Sequence, residues 1–454
     1  MSRQLSKTEA TIAVLSWPSL HDIASQISTA RVGRPRQHPI ALHLAWGALA
    51  RLHGSGNRLD IETADRETWR QLLEIYNQTA RAHPLGVTVD VNCERLTSHT
   101  YRHVRDNLCS DENLEAFSRA FTIHSIIQAQ ALGLIRADGR GSLTHPSPER
   151  VIYGDGTVVR PIYKNRELNG KRIDLDAGEY TRHDGKIVGN NIVFVATRGT
   201  QRHRRLILAV GRADGPGQEA AKATALIQNV LTEANGGIQA VVYDGAFRGS
   251  HHQILMDGHG IVVVNKVHPE SHKDNERTYR KVPLGTWTHT VGKRGGRDCE
   301  HQLVVHNGDI HDAVLTDDGT ITLSPPLQRT QIRRHQRANK TWRLNLGVTI
   351  RCRHGSFTAW INPHPQPADP GPGRTDQIRL IPPSCPDFAV IYGLRNDAEA
   401  INAEFKRTLV ADRAPALGWR RQVLAAMSWA ILNNSRAWWL HSGASRNAAN
   451  NKAP

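Results

Sequence analysis

Apolar residues recur at helical spacing in two long stretches near the start of the chain, ALHLAWGALARL (residues 41–52) and residues 112–134. Positions three and four apart share one helix face, so residues 1–145 read as mainly helical. From about residue 150 the pattern changes. RVIYGDGTVVRPIY, NIVFVATRG (191–199) and RRLILAVGRAD (204–214) are β-type apolar runs. A helical stretch follows at 218–234. Then come GIQAVVYDG (237–245), a short helix around 251–256 and GIVVVNKV (260–267). The predicted order is three strands, helix, strand, helix, strand.

Residues 269–385 break the alternation with β-like pieces and turn signals, among them GTWTHTVGKR, HQLVVHNGDIHDAVL and WRLNLGVTIRCRHGSFTAWI. NPHPQPADPGPG (362–373) is rich in Pro and Gly and reads as a loop or linker. Two helices are expected after it, at 394–409 and 419–440, and GASRNAANNKAP reads as a disordered tail. The strand and helix order is that of an α/β ribonuclease H-like core. The expected organisation is a helical DNA-binding region at 1–145, the first part of the core at 146–268 and a β-rich insertion at 269–385. The second part of the core follows at 386–442, with a tail at 443–454.

Composition narrows the partner. The chain has 454 residues, 39% of them hydrophobic, which suffices for packed cores. A net charge of +16 and a pI of about 10.0 favour a polyanion. Nucleic acid comes first and an anionic membrane surface second, and the same balance also suits a merely basic soluble protein. No apolar run approaches the length of a membrane span, and the N-terminus does not read as a signal peptide. A cytoplasmic, nucleoid-associated location is expected. The cysteines, Cys93, Cys109, Cys299, Cys352 and Cys385, are scattered without a C-x-x-C pair. That spacing argues against a disulfide framework or a structural zinc site. The 24 histidines form no recognised ligand spacing and are expected at the surface or on phosphate. Val32-Gly33-Arg34-Pro35-Arg36 reads as a basic linker or a minor-groove contact.

Asp-Gly occurs seven times, and most of these are turns. Two differ in position. Asp155 lies within the first strand of the α/β region and Asp244 ends the fourth. If those strands are neighbours, their carboxylates converge. Asp214, after the third and outer strand, is a rival. Converging carboxylates repel unless cations neutralise them, and Mg²⁺ or Mn²⁺ suits oxygen ligands. A third carboxylate is then expected from a helix beside the sheet. In IYGLRNDAEAINAEFKRTLV, Tyr392, Arg395, Glu399, Asn402 and Lys406 follow at intervals of three, four, three and four, one helix face. Leu394, Ala398, Ile401, Phe405 and Leu409 form the opposite apolar stripe. An ordinary amphipathic helix with a surface Arg395–Glu399 pair has the same pattern.

Tyr392-x2-Arg395-x3-Glu399-x6-Lys406 resembles the Y-R-E-K signature of bacterial insertion-sequence transposases of the DDE class. The long interval from Asp244 to Glu399, 155 residues, resembles the group in which a β-rich insertion precedes the glutamate helix. The resemblance covers roughly residues 150–440. Asn396 departs from the group, which often has Trp after the arginine, and marks a divergent branch. The resemblance implies a DNA transposase in which Asp155, Asp244 and Glu399 hold two Mg²⁺ or Mn²⁺ ions for strand cleavage and strand transfer. It implies that Tyr392, Arg395 and Lys406 bind DNA near the scissile phosphate. It further implies double-stranded DNA partners, the terminal inverted repeats and the target, with a homodimer on paired ends. An insertion tryptophan, Trp287, Trp342 or Trp360, would hold a flipped base; otherwise these are core residues. The alternatives are a ribonuclease H-like nuclease without strand transfer and a non-catalytic domesticated DNA-binding protein.

Overall fold

The computed structural model describes residues 5–28, 37–163, 167–168, 171–172, 174–182, 185–200, 205–270, 277–291, 297–316, 320–352, 354–366 and 373–450. The basic segment at 32–36 and half of the Pro/Gly-rich segment, residues 367–372, lie outside the described residues.

Among the described residues the first elements are seven helices: α1 (Lys7–Leu15), α2 (Ser19–Ser25), α3 (Ile40–Leu52), α4 (Gly56–Glu62), α5 (Arg66–Ala82), α6 (Ser98–Leu108) and α7 (Asp111–Ala131). Side-chain caps start several of them. Ser6 and Glu9 form a capping box on α1, and Asp65 accepts from Thr68 N at 2.8 Å on α5. Strands β1 (Val151–Val159), β2 (Glu167–Leu168), β3 (Lys171–Arg172), β4 (Gly178–Arg182), β5 (Gly185–Arg198) and β6 (Arg205–Arg212) follow. Then come α8 (Glu219–Ala234), β7 (Ala240–Val242), α9 (Gly249–His259) and β8 (Val262–Val264). Gly260, at φ +62°, ends α9 in the left-handed conformation that glycine tolerates best.

The expected β-rich segment contains β9 (Val282–Val291), β10 (Arg297–His306), β11 (Asp309–Leu315), β12 (Ile321–Leu323), β13 (Gln328–Gln336), β14 (Trp342–Cys352) and β15 (Gly355–Ile361). The chain closes with α10 (Gly373–Gln377), α11 (Pro386–Tyr392), α12 (Arg395–Arg407) and α13 (Trp419–Asn450). α13 thus continues well into the stretch that reads as a tail. The architecture is mixed α/β with mixed sheets. Among the described residues no helix is long and apolar enough to cross a membrane.

Two compact units divide the chain. The first comprises Met1–Ile135, Gly154–Asn235 and Ala398–Pro454. In it β5 pairs antiparallel with β4 and β6 and also pairs β1. β6 is buried along most of its length, as expected for a strand covered on both faces. The N-terminal helices share this core: α3 packs on α13, and α7 packs on β6. Asn434 in α13 is fully buried and joins the layers. Its Nδ2 donates to Ile207 O at 2.8 Å and Ser125 Oγ at 3.0 Å, and its Oδ1 accepts from Ile207 N at 3.0 Å. Gln128 Nε2 of α7 donates to Asn434 O at 2.9 Å. Residues 1–135 are therefore not a detachable module, because their apolar faces are covered by elements far along the chain.

The second unit comprises Arg136–Tyr153 and Gly236–Asp397. Here the start of β1 pairs parallel with β7, Tyr153 opposite Val242, and β7 pairs parallel with β8, Val242 opposite Val264. Two antiparallel sheets, β12-β11-β10-β9 and β13-β14-β15, form the β-rich part.

Candidate functional site

Asp155 lies half-buried in β1 between two glycines. Successive strand residues point to opposite faces, and the two faces here meet different helices. On one, Asp155 Oδ2 accepts a 2.9 Å hydrogen bond from Asn402 Nδ2 of α12, which also reaches Gly156 O at 3.3 Å. On the other, a Cβ at Gly156 would collide with the Glu219 carboxyl group at the start of α8. Glu219 is held there by Asn191 Nδ2 at 2.6 Å. Glycine follows Asp155 because Glu219 occupies the space a side chain would need.

The same interaction sets the orientation of α12. Glu399 is exposed and precedes Asn402 by one turn, so the two share a helix face. The Asn402 bond turns that face toward Asp155. The other face is apolar and buried: Ala398, Ile401 and Phe405 are at most 3% exposed. Phe405 meets Phe194 of β5 at 5.3 Å between ring centroids and Trp429 of α13 at 5.5 Å. Burying a side chain of this size contributes about 2–3 kcal/mol. Glu404 pairs with Arg205 at 3.2 Å and fixes the helix from its flank.

The signature does not occupy one helix. Tyr392 is the last residue of α11, and α12 begins at Arg395. Gly393 and Leu394 form the break, where the backbone tightens and Leu394 N bonds Ile391 O at 3.1 Å. Tyr392 stacks on Phe388 with centroids 4.9 Å apart, and Lys266 Nζ stands 5.6 Å from its ring. Arg395 and Lys406 are both half-buried on α12.

Asp244 belongs to the second unit. It lies two residues beyond Val242 of β7, as Asp155 lies two beyond Tyr153 of β1, the residue paired with Val242. Its Oδ1 accepts from Ala246 N at 2.8 Å, and Asn265 Nδ2, just after β8, donates to Asp244 O at 3.2 Å and Phe247 O at 3.1 Å. Tyr243 and Phe247 stack 4.1 Å apart and rigidify the turn. Asp214 is exposed beyond β6, which pairs with β5. Among the described residues, the His, Cys, Asp and Glu side chains whose ligand atoms all lie within 4.8 Å of one another are Cys299, His301 and Cys352, not the three carboxylates.

Trp287, Trp342 and Trp360 are half-buried rather than core residues. The Arg333 guanidinium lies 3.8 Å from the Trp360 ring centre and that of Arg334 lies 4.7 Å from Trp342. Both cations are neighbours on β13.

Two features escaped the sequence. Asn402 stands on the right face of the helix, but its bond to Asp155 spans 247 positions and leaves no local trace. The first unit also holds a cavity of about 550 Å³ lined by Arg51, Arg102, Arg105, Arg413 and Arg421, with no carboxylate in its lining. Arg51 is buried, burial pulls its guanidinium below the usual arginine range, and its Nη1 has no hydrogen-bond partner. These arginines come from α3, α6, α13 and the loop before α13, so no charge run announces them.

No family model matches the chain, and no curated protein matches it.

Proposed function

We propose that the protein is a DNA transposase of the DDE class, with Asp155, Asp244 and Glu399 as its metal-holding carboxylates. The observation that carries this reading is the bond between Asn402 and Asp155. It turns toward the first strand the helix face that bears the signature glutamate. The parallel pairing of β1 with β7, Tyr153 opposite Val242, supports it further, because the reading expects the first and fourth strands to be neighbours. β5 flanked by β4, β6 and β1, with β7 and β8 parallel to β1, is also the pairing a ribonuclease H-like core requires.

The donor set fits hard divalent cations. The three carboxylates offer only oxygen, and Asn402 Oδ1, on the side chain bonded to Asp155, is buried without a hydrogen-bond partner. Two bound Mg²⁺ or Mn²⁺ ions would supply an activated nucleophile and stabilise the leaving oxygen of an in-line phosphoryl transfer. The chain's own residues do the rest. Asn402 fixes the Asp155 carboxylate. Arg395 and Lys406, on the helix of Glu399, donate to phosphate oxygens near the reacting centre. Tyr392 and Lys266 contact the strand from the end of α11. The arginine cavity and the +16 charge suit a polyanionic partner.

The test is a joining assay with the DNA that flanks the gene as donor and a plasmid as target, in Mg²⁺ and in Mn²⁺. The expected products are 3′ ends released from the donor and covalently joined to the target. Cleavage without joined product would indicate a nuclease, and binding without cleavage a non-catalytic DNA-binding protein.

A further inference from the structure

The β-rich part of the second unit brings together side chains that lie far apart in sequence. Cys299 and His301 stand two apart on β10 and share one face of the strand. His289 of β9 is directly opposite Cys299 in the antiparallel register and projects to that same face. Cys352 ends β14 of the other sheet, where Gly355 at φ +120° opens the return into β15. The ligand atoms of Cys299, His301 and Cys352 all lie within 4.8 Å of one another, and His289 Nδ1 is 3.3 Å from Cys352 Sγ. Phe357 covers the cluster, with its ring centre 4.5 Å from that of His289 and 5.7 Å from that of His301.

The orientation of His301 adds a second observation. Its Nδ1 is 2.6 Å from Asp312 Oδ2 on β11, which fixes the tautomer with the proton on Nδ1. Its Nε2 is buried and without a well-formed hydrogen bond. A carboxylate behind an imidazole grouped with two thiols, its other nitrogen buried and unsatisfied, is the arrangement of a protein metal ligand with its supporting shell. Tetrahedral zinc, with Zn–S of about 2.3 Å and Zn–N of about 2.0 Å, sets neighbouring ligand atoms roughly 3.3–3.8 Å apart. Cys299, His301 and Cys352 stand within about one ångström of that spacing, while His289, 3.3 Å from Cys352 Sγ, lies outside the set whose ligand atoms are all within 4.8 Å of one another. Two sulfurs and two imidazole nitrogens suit zinc far better than Mg²⁺ or Ca²⁺.

We propose that Cys299, His301, Cys352 and His289 form a tetrahedral zinc site that ties the β12-β11-β10-β9 sheet to the β13-β14-β15 sheet. Four protein ligands leave no open position, so the site is structural. On binding, the two thiol protons leave to solvent, and both histidines bind as neutral rings, His301 through Nε2 and His289 through Nδ1. The sequence hid the site because its ligands come from three strands and form no C-x-x-C or H-x3-H pair. The proposal stands independently of the transposase reading.

The test uses the full chain, purified in reducing buffer without added chelator. Elemental analysis should find about one zinc per chain. After removal of the metal, Co²⁺ should bind at one site and give the visible bands and thiolate charge-transfer absorption of a tetrahedral S₂N₂ centre. Cys352→Ser and His301→Ala should each abolish that absorption, while Cys93→Ser retains it. Asp312→Asn, which keeps all four ligands, should weaken zinc binding about 10–100-fold in competition with a chelator. Absence of zinc together with absence of the cobalt signal in the wild-type chain would overturn the proposal. So would a Cys299–Cys352 disulfide that persists in reducing buffer by intact mass.

Discussion

Asn402 Nδ2 and Asp155 Oδ2 lie 2.9 Å apart, a bond between the glutamate-bearing helix and the first strand of the sheet. It holds the carboxylate against the face of α12 that also bears Glu399, one turn before Asn402. Replacing Asn402 with Ala should slow strand cleavage about 10–100-fold, the range expected for losing a hydrogen bond to a charged group. DNA retention in gel-shift assays should stay within about twofold, since affinity rests on phosphate contacts. An unchanged cleavage rate would show that this bond does not position the site.

The aromatic trio of Phe194, Phe405 and Trp429 is the hydrophobic anchor of α12. Phe405→Ala should destabilise the chain by about 3–5 kcal/mol, because the rigid neighbours leave a cavity. Denaturant titration measures this directly. A loss below about 1 kcal/mol would mean that the helix is held by other contacts.

Burial, with the adjacent His83 adding to it, lowers the pKa of His21 to about 4. His21 therefore stays neutral in the folded chain while the unfolded chain protonates it near 6.5. The unfolded state then binds more protons, so stability falls as pH drops from about 6.5 to about 4. His21 accounts for up to about 3 kcal/mol of that loss. His252, lowered well below 6.5 by complete burial, adds in the same direction. His21→Gln should flatten the stability profile between pH 6.5 and 4, and an identical slope in the variant would refute the assignment.

The arginine cavity predicts a salt-sensitive contribution to DNA binding. Arg102→Gln should weaken retention of all sequences alike and reduce the salt slope by about one for each phosphate that the variant no longer neutralises. Unaltered affinity and slope would separate the cavity from DNA.

Stacking on an exposed ring stabilises an unpaired base by roughly 1–3 kcal/mol. Arg333 and Arg334 cover Trp360 and Trp342, so a base would have to displace a guanidinium there. If one of the three insertion tryptophans acts in this way, its Ala variant should nick DNA but stall before second-strand cleavage. Normal double-strand cleavage by Trp287→Ala, Trp342→Ala and Trp360→Ala would remove that role.

The sequence disclosed what local pattern controls. β1, β5, β6, β7 and β8 follow from short apolar runs bounded by turns, and α8 and α9 from helical periodicity between them. The apolar stripe of α12 was visible for the same reason. β4 was missed because GEYTR carries little apolar signal. The break at Gly393 was missed because the signature spacing continues through it as though the helix did. Interactions set by tertiary packing left no trace. Gln128 meets Asn434 across 306 positions, which makes the N-terminal helices part of the first unit's core instead of a separate module. Deleting residues 1–135 should accordingly unfold that unit as well as abolish DNA binding. The Cys and His cluster was invisible for a related reason, since strand register and sheet stacking, not spacing, bring its members together.

The most direct test of the central claim is the cleavage and joining activity of Asp155→Ala, Asp244→Ala and Glu399→Ala, each assayed beside Asp214→Ala. Metal-assisted phosphoryl transfer is worth several kcal/mol, so each of the first three should lose both activities together by at least about a thousandfold. All three should retain DNA binding, and Asp214→Ala should remain close to wild type. Strand cleavage that survives in any one of the three, or that disappears equally in Asp214→Ala, would contradict the account.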